Sequence, residues 1–301
     1  MRASIAIIGA PTSAGAYGPG QEEGPRALRG AGLAEGLRSA GYHVSDLGDI
    51  PSFRWQPDRL RPRAMNVAAV AAGIAAVADE VSQAVADGHL PLVLGGDCTV
   101  ELGTVIGMRR HQPSLRLVYL DAHPDLNTPT SVPDGALDWM GVAHLLGIPD
   151  TLDEITGLGA GSPLLDASDL VLLGNAPTRS TEHELRVIRE RSIANVDENR
   201  VRADPAAAGA EALELVGRGH PYLVHLDTDT IDFAELPLAE NTTRNVGLAF
   251  ESVMQALDGV LAGDGLAALT ITELNRSTAR PTARRCAASR RAWPSRSRLA
   301  R

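Results

Sequence analysis

The chain of 301 residues contains no lysine, only two cysteines and few aromatic residues. Cys98 and Cys286 lie in segments of very different character, so we expect a reducing compartment and no disulfide framework. The sequence has no run of about 18 apolar residues free of charge, which argues against a membrane span. Residues 1–9 pass directly into a strand pattern without a signal-peptide cleavage site, so the expected location is cytoplasmic.

Signatures of two common enzyme classes are also missing. A glycine-rich turn stands at Gly95-Gly96, but no phosphate-loop lysine accompanies it, so it is weak support for an anion site. No Gly-x-Ser-x-Gly elbow is present, and a serine hydrolase therefore has no support. The net charge of −9 argues against a nucleic-acid partner.

Acidic and basic residues are distributed unevenly. Residues 276–301 contain nine Arg and no Asp or Glu, whereas residues 1–275 contain 19 Arg against 37 acidic residues. This tail has no apolar period and includes Pro281 and Pro294, so we expect it to be disordered and hypothesise that it is read out of frame. A basic tail that binds an acidic partner is the alternative. The predicted catalytic domain therefore covers residues 1–275.

Within residues 1–275, strand-like and helix-like segments alternate without an obvious linker. Strands are predicted over residues 3–8, 42–47, 90–94, 115–120, 170–173, 222–226 and 266–274. Helices are predicted over residues 27–40, 64–87, 99–110, 181–191 and 204–218. Such alternation indicates one α/β domain, with a mostly parallel sheet covered on both faces by helices.

Acidic clusters follow two of the predicted strands. In extended backbone, side chains two residues apart point the same way, so Asp121, His123 and Asp125 share a direction, as do Asp227 and Asp229. Ligands of open parallel sheets bind at the carboxyl ends of the strands, which brings the clusters together. Crowded carboxylates need compensating cations. Oxygen donors with one imidazole suit Mn²⁺, and bridging carboxylates suit a pair of ions, so the sequence predicts a binuclear manganese hydrolase site.

Some of these residues have other interpretations. Asp121 would act as a helix cap and His123 as a loop residue if no metal binds. His225 lies two residues before Asp227 and is expected to pack in the strand, although ligation is the alternative. Asp232 is expected to brace the following loop and not to bind metal.

Five ordered motifs are similar to those of the ureohydrolase superfamily, which includes arginase, agmatinase and formimidoylglutamase. The likeness runs from about residue 5 to residue 275. It rests on Gly20-Gln-Glu-Glu-Gly-Pro25, Gly95-Gly-Asp97, Asp121-Ala-His-Pro-Asp125, Asp227-Thr-Asp229 and Ile271-Thr-Glu-Leu-Asn275. The resemblance implies a single-domain arginase-like three-layer fold, two Mn²⁺ per subunit, and a homotrimer or homohexamer.

The resemblance also implies a ligand set. Asp121 and Asp227 would bridge the two ions, Asp125 would bind the first ion, and His123 and Asp229 would bind the second. A water shared by both ions would be deprotonated near neutral pH and attack a guanidinium or amidine carbon.

Three residues would deal with substrate and protons. The resemblance implies that Asp229 is the hydrogen-bond partner of the attacking hydroxide. Glu273 would pair with the guanidinium of the substrate through planar two-point hydrogen bonds. Asn127 would hold the amino-acid end of the substrate.

The chain departs from the family pattern at three positions. Cys98 stands where the family has a histidine ligand of the first ion, and a soft thiolate should hold that Mn²⁺ weakly. The alternative to ligation is that Cys98 is a small buried residue and that the first ion has only oxygen ligands. Asp138 stands in the region of a histidine thought to shuttle protons in arginase. Phe233 replaces a proline in a loop that differs from the family.

The sequence thus predicts a manganese amidinohydrolase that acts on a small guanidino compound: arginine, N-hydroxy-arginine or an agmatine-like amine. The products would be urea or hydroxyurea and an amine. With a cysteine at this metal position, the chain also resembles a branch of the family that hydrolyses N-hydroxy-arginine. Two alternatives are a metal-free enzyme in which Cys98 attacks the guanidino carbon, and a catalytically impaired arginase-like binding protein.

Overall fold

The computed structural model describes residues 4–278 of the chain. Eight strands of this part form one sheet in which every pair of neighbours is parallel. The strands are β1 (Ser4–Gly9), β2 (His43–Asp49), β3 (Leu90–Leu94), β4 (Arg116–Leu120), β5 (Leu170–Leu173), β6 (Ala194–Val196), β7 (Tyr222–Asp227) and β8 (Leu266–Thr272).

The strand order is β2-β1-β3-β8-β7-β4-β5-β6. Parallel strands end at the same edge, and neighbouring strands lie about 4.7–4.9 Å apart. The four central strands β3, β8, β7 and β4 therefore deliver the residues that follow them to one short stretch of that edge.

Helices cover both faces of the sheet. They are α1 (Gly24–Gly30), α2 (Leu33–Ser39), α3 (Val67–Ala86), α4 (Val100–Arg109), α5 (Gly141–Leu145), α6 (Asp153–Thr156), α7 (Glu182–Arg191), α8 (Glu198–Ala203), α9 (Pro205–Val216) and α10 (Phe250–Val260). One core packs α3 and α4 against the face that carries Leu117 and Tyr119. The other packs α9 and α10 against the face that carries Val118 and Leu120. Alternate residues of each strand thus enter opposite cores, which confirms the predicted three-layer fold.

Helix α3 is long and apolar enough to cross a membrane by length and composition alone. Its Val70, Ile74, Val77 and Val81 are buried in the core, and the helix packs on α4 and β3. The apolar residues of α3 are therefore explained by its packing in the core of the α/β fold.

The structure corrects the predicted elements in three places. Residues 27–40 form not one helix but two, because Gly32 between α1 and α2 takes a left-handed conformation with φ of 85°. Strand β8 stops at Thr272, short of the predicted residue 274, since Glu273 also takes a positive φ of 63°. The sequence prediction also missed β6, α5, α6, α8 and α10, of which all but α10 have six residues or fewer.

The predicted tail overlaps the described residues only at its start. Arg276–Thr278 form a single 3₁₀ turn whose Thr278 hydroxyl donates to the backbone oxygens of Ala239 and Asn275. Residues 279–301 lie outside the described residues, so disorder and out-of-frame origin stay predictions.

Candidate metal centre and active site

The predicted ligands gather at the carboxyl ends of the central strands. Asp121 directly follows β4, and Asp227 is the last residue of β7. Asp121, Asp125 and Asp227 are each at most 3% exposed. His123 Nδ1 lies 3.4 Å from Asp229 Oδ2 and 3.5 Å from Asp121 Oδ1, so residues far apart in the sequence meet around one point.

The chain bends immediately after each strand, and this bend orients the carboxylates. The backbone N–H of His123 donates to Asp121 Oδ1 at 2.7 Å, and the N–H of Asp229 donates to Asp227 Oδ1 at 2.6 Å. Thr228–Thr230 form a 3₁₀ turn, and Asp125 has a left-handed φ of 51°. Turns that follow the strands, and not the strand alternation used in the sequence argument, therefore bring Asp227 and Asp229 together.

Two overlapping groups of donor atoms result. We call Asp121, His123 and Asp229 the open side, because the His123 side chain retains 20% exposure, and Cys98, Asp121 and His225 the buried side. Within each group the donor atoms lie within 4.8 Å of one another. Asp121 belongs to both.

The donor set fits a pair of divalent cations. Asp121 Oδ2 and Asp229 Oδ1 are buried without a hydrogen-bond partner among the described residues. Buried, unpaired carboxylate oxygens are costly, whereas a coordinated cation would satisfy them. Carboxylate oxygens with imidazole nitrogen are ligands that Mn²⁺ accepts.

The electrostatics of the protein without metal point the same way. Burial, followed by the charges of Asp121 and Asp229, raises the pKa of Asp227 well above its usual value. Burial and then Asp121 do the same to the pKa of Asp125. Burial lowers the pKa of His123, but Asp229 and Asp121 outweigh it and raise that pKa to about 9. Cations bound here would relieve this repulsion.

Cys98 lies on the buried side and is 2% exposed. Its Sγ is 3.2 Å from Thr272 Oγ1, 3.3 Å from Asp227 Oδ2 and 3.5 Å from His225 Nε2. Burial, then the charges of Asp227 and Glu273, raise the pKa of the Cys98 thiol well above its usual value. Without a cation, the thiol therefore keeps its proton.

Glu273 lies directly after β8, and its carboxylate is fixed from two sides. The backbone N–H of Cys98 donates to Oε1 at 3.1 Å, and Gln21 Nε2 donates to Oε2 at 3.3 Å. The side chain lines the cavity beside the metal ligands. The left-handed backbone of Glu273 ends the strand and helps to direct the carboxylate there.

A cavity of about 430 Å³ opens beside these groups. Besides predicted ligands, it is lined by Tyr17, Asp138, Trp139, Arg179, Glu240, Asn241, Thr242, Thr243 and Glu273. Carboxylate atoms of Asp138, Glu240 and Glu273 form a further acidic group within 4.8 Å. Burial is the main cause that raises the pKa of Glu240 to about 7. The cavity is suited to a cationic group at this end.

Asp138 and Asn127 are placed differently relative to the cavity. Asp138 lines it, and burial followed by the Glu240 charge raises the pKa of its carboxyl well above its usual value. Asn127 is fully buried and is absent from the cavity lining. Its Oδ1 accepts from Thr181 and Ser131 at 2.9 and 3.2 Å. Its buried Nδ2 has no hydrogen-bond partner among the described residues, and its role at the amino-acid end of the substrate stays a prediction.

Sequence reasoning missed two kinds of residue. Glu101 Oε2 lies 3.4 Å from His225 Nδ1, and its position in the first turn of α4, three residues after Cys98, was a signal available in the sequence. Arg179 and Glu240 come from loops that are adjacent to the site only through folding. No motif pointed to them.

Comparisons with known proteins agree with the fold. A family model described as "Arginase family" matches residues 3–290. The chain is 32% identical over 278 residues to human mitochondrial arginase-2. The alignment covers 90% of this chain and 77% of that protein.

Solved structures give the same result. The arginase of Bacillus caldovelox superposes with a TM-score of 0.83 at 29% identity, covering 93% of each chain. The arginase of Bacillus subtilis gives 0.82 at 27% identity, covering 92% of each. The chain belongs to the arginase family of the ureohydrolase superfamily and is a hydrolase of amidino C–N bonds.

Proposed function

We propose that this protein is a binuclear manganese amidinohydrolase that cleaves a guanidino substrate to urea or hydroxyurea and an amine. The observation that carries the proposal is the pair of overlapping donor groups that share Asp121, with unpaired buried carboxylate oxygens on Asp121 and Asp229. Two adjacent cations supply what hydrolysis of a stable guanidinium needs, a water that is nucleophilic at neutral pH.

The proposed division of ligands follows the family pattern except at Cys98. Asp121 and Asp227 would bridge, His123 and Asp229 would complete the open side, and Asp125 and Cys98 would serve the ion of the buried side. The Tyr119 hydroxyl donates to Asp125 Oδ2 at 2.5 Å, which fixes that carboxylate. Such support behind a ligand usually strengthens metal binding.

Proton transfer is assigned to Asp229 and Asp138. Asp229, as the hydrogen-bond partner of the attacking water, would accept its proton and deliver it to the leaving amine. Asp138 replaces the shuttle histidine of arginase as a buried carboxyl whose pKa is raised by burial and by Glu240. A carboxyl that retains a proton near neutral pH can act as a general acid.

Substrate binding is assigned to two charged side chains of the cavity lining. Glu273 is held by Cys98 N–H and Gln21 with its carboxylate beside the ligands, and it would bind the guanidinium through charge-assisted hydrogen bonds. Arg179 lines the same cavity, and its buried Nε has no hydrogen-bond partner among the described residues. A guanidinium so placed suits a substrate carboxylate, which favours arginine or N-hydroxy-arginine over an agmatine-like amine.

The test is a panel of guanidino compounds supplied to the Mn²⁺-loaded protein, with urea and hydroxyurea measured separately. We expect turnover of a compound that carries both a guanidino group and a carboxylate, with much weaker turnover of agmatine. If the fully loaded protein releases neither urea nor hydroxyurea from any compound of the panel, the binding-protein alternative is supported.

The metal-free alternative has a specific weakness. A nucleophilic Cys98 needs a thiolate, yet burial and the neighbouring Asp227 raise the pKa of that thiol. Turnover measured after chelation separates the two mechanisms, because a thiol mechanism would survive the loss of metal. A cytoplasmic location and a trimeric or hexameric assembly remain predictions.

A further inference from the structure

His225 is a fully buried imidazole that lies next to Cys98, the residue that replaces the histidine ligand of the family. We propose that His225, held by Glu101, is a nitrogen ligand of the ion on the buried side, together with Cys98. This inference rests on the proposed two-ion site. It adds a ligand from β7 that neither the motifs nor the family pattern assigns.

The position of the His225 ring supports ligation. The side chain is 0% exposed, and its Nε2 lies 3.5 Å from Cys98 Sγ and 3.2 Å from Thr272 Oγ1. Donor atoms of Cys98, Asp121 and His225 lie within 4.8 Å of one another. His225 stands two residues before Asp227 in the same strand, so both side chains leave the same face of the sheet.

Glu101 gives the imidazole a defined orientation. Its Oε2 lies 3.4 Å from His225 Nδ1, on the side of the ring away from Cys98. A carboxylate that accepts from Nδ1–H leaves the Nε2 lone pair directed at the cluster, which is how histidine ligands are commonly held. Glu101 is 1% exposed, and its Oε1 has no hydrogen-bond partner among the described residues. The contact between Oε2 and His225 therefore offsets part of the cost of burying this carboxylate.

Tyr119 fixes the plane of the same ring. The two rings are stacked at 4.1 Å with an interplanar angle of 3°, and the Tyr119 hydroxyl donates to Asp125 Oδ2. The imidazole is thus fixed by packing on its face and by a carboxylate on its edge. Its Nε2, which the Thr272 hydroxyl and Cys98 Sγ also approach, is thereby directed at the donor atoms of the buried side.

The arrangement changes the expected metal preference. A cysteine alone in place of histidine would leave the ion of the buried side with oxygen and sulfur donors. His225 returns a nitrogen donor, and a set with sulfur and nitrogen suits Zn²⁺ or Co²⁺ better than Mn²⁺. We therefore expect the two ions to differ in their selectivity, with the softer ion on the buried side.

The experiment titrates metal-free protein with Co²⁺ and counts ions per subunit. Wild-type protein should bind two ions and show a sulfur-to-cobalt charge-transfer band. His225→Phe should retain one tightly bound ion, bind the other more than about 100-fold more weakly, and alter the cobalt spectrum. Glu101→Gln, which preserves shape, should weaken binding of the same ion by a smaller factor, about 10- to 100-fold.

A matched control is His144→Phe. His144 is also buried, but its ring nitrogens contact Met140 O and Leu152 N, away from the cluster. This variant should bind two ions with the wild-type cobalt spectrum, so any general cost of replacing a buried histidine is measured separately. Circular dichroism confirms that each variant is folded.

The outcomes separate this inference from the proposed function. If folded His225→Phe and Glu101→Gln bind both ions with wild-type affinity and keep the wild-type cobalt spectrum, the role of His225 is overturned but the two-ion function is not. Wild-type protein that binds fewer than two ions would overturn the two-ion function and this inference with it. Weaker binding of one ion in both variants, with the larger effect in His225→Phe and none in His144→Phe, would support the role of His225.

Discussion

The open and buried sides of the metal centre share Asp121 but are built differently. His123 and Asp229 of the open side come from short motifs that bend directly after β4 and β7, and they border the cavity. The buried side joins Cys98, before α4, to His225 inside β7, with Glu101 behind the imidazole. Cys98 lines the cavity as well, so the two sides differ in origin: the open side is built from short motifs, whereas the buried side depends on contacts between elements distant in the sequence.

Removing the shared ligand should have the largest effect. Asp121→Asn takes an oxygen donor from both sides, so we expect loss of both ions and a fall in turnover of about 1000-fold or more, since several kcal/mol of charge stabilisation disappear. Metal analysis and urea release measure this. Asp166→Asn, an exposed position away from the cavity, is the control. Two bound ions in Asp121→Asn would contradict the shared role.

Glu273→Gln tests substrate binding beside an intact metal centre. Hydrogen bonds to a charged partner contribute about 1.5–3 kcal/mol, so kcat/KM should fall about 10- to 150-fold while two ions stay bound. Steady-state kinetics with parallel metal analysis separates the two effects. An unchanged kcat/KM would remove Glu273 from the guanidinium site.

Arg179→Met tests the second charged side chain to which substrate binding is assigned. We expect KM for a carboxylate-bearing guanidino substrate to rise about tenfold or more, because a charged hydrogen bond is lost, with agmatine turnover unaffected or improved. Competition kinetics with the two substrates gives the ratio directly. An equal effect on both substrates would mean that Arg179 only offsets the charge of the metal ligands.

The acidic cluster should also make the metal-free protein sensitive to pH. The pKa of Asp227 is raised by burial and by its acidic neighbours, and that of His123 is raised to about 9, against an ordinary 6.5. For either group the folded state holds its proton to higher pH than the unfolded chain, so metal-free stability should fall as pH rises from about 5 to 9. Thermal melts across this range should show the fall, and bound Mn²⁺ should remove it. A metal-free melting temperature that rises over this range would contradict it.

Cys98→His should have the smallest effect and sharpens the contrast between the two sides. A second imidazole next to His225 replaces a soft donor with one that Mn²⁺ binds better, so Mn²⁺ occupancy of the buried side should rise severalfold while the open side is unchanged. Titration with Mn²⁺ measures this. No change in affinity would show that Cys98 does not coordinate the ion.

The open side was predictable from sequence because its motifs are local. Asp121, His123 and Asp125 lie within five residues, and the alternation of elements was enough to place them at a strand end. The predicted geometry was less accurate, since the 3₁₀ turn at Thr228–Thr230 replaces the assumed extended backbone. The parallel sheet follows from buried strands such as β4 and β5, whose apolar runs are unmistakable.

The buried side was only partly predictable, because its contacts are long-range. His225 was expected to pack in its strand, which it does, but its contact with Cys98 depends on which strands are neighbours in the sheet. Sequence order does not give that adjacency. Arg179 and Glu240 reach the cavity from loops without motifs.

The central claim is that two cations share Asp121, and anomalous diffraction from crystals of the Mn²⁺-loaded protein tests it most directly. The account predicts two anomalous peaks roughly 3.5–4 Å apart, with Asp121 between them, one peak beside His123 and the other beside Cys98 and His225. A single peak in fully loaded active crystals, or peaks distant from Asp121, would contradict it.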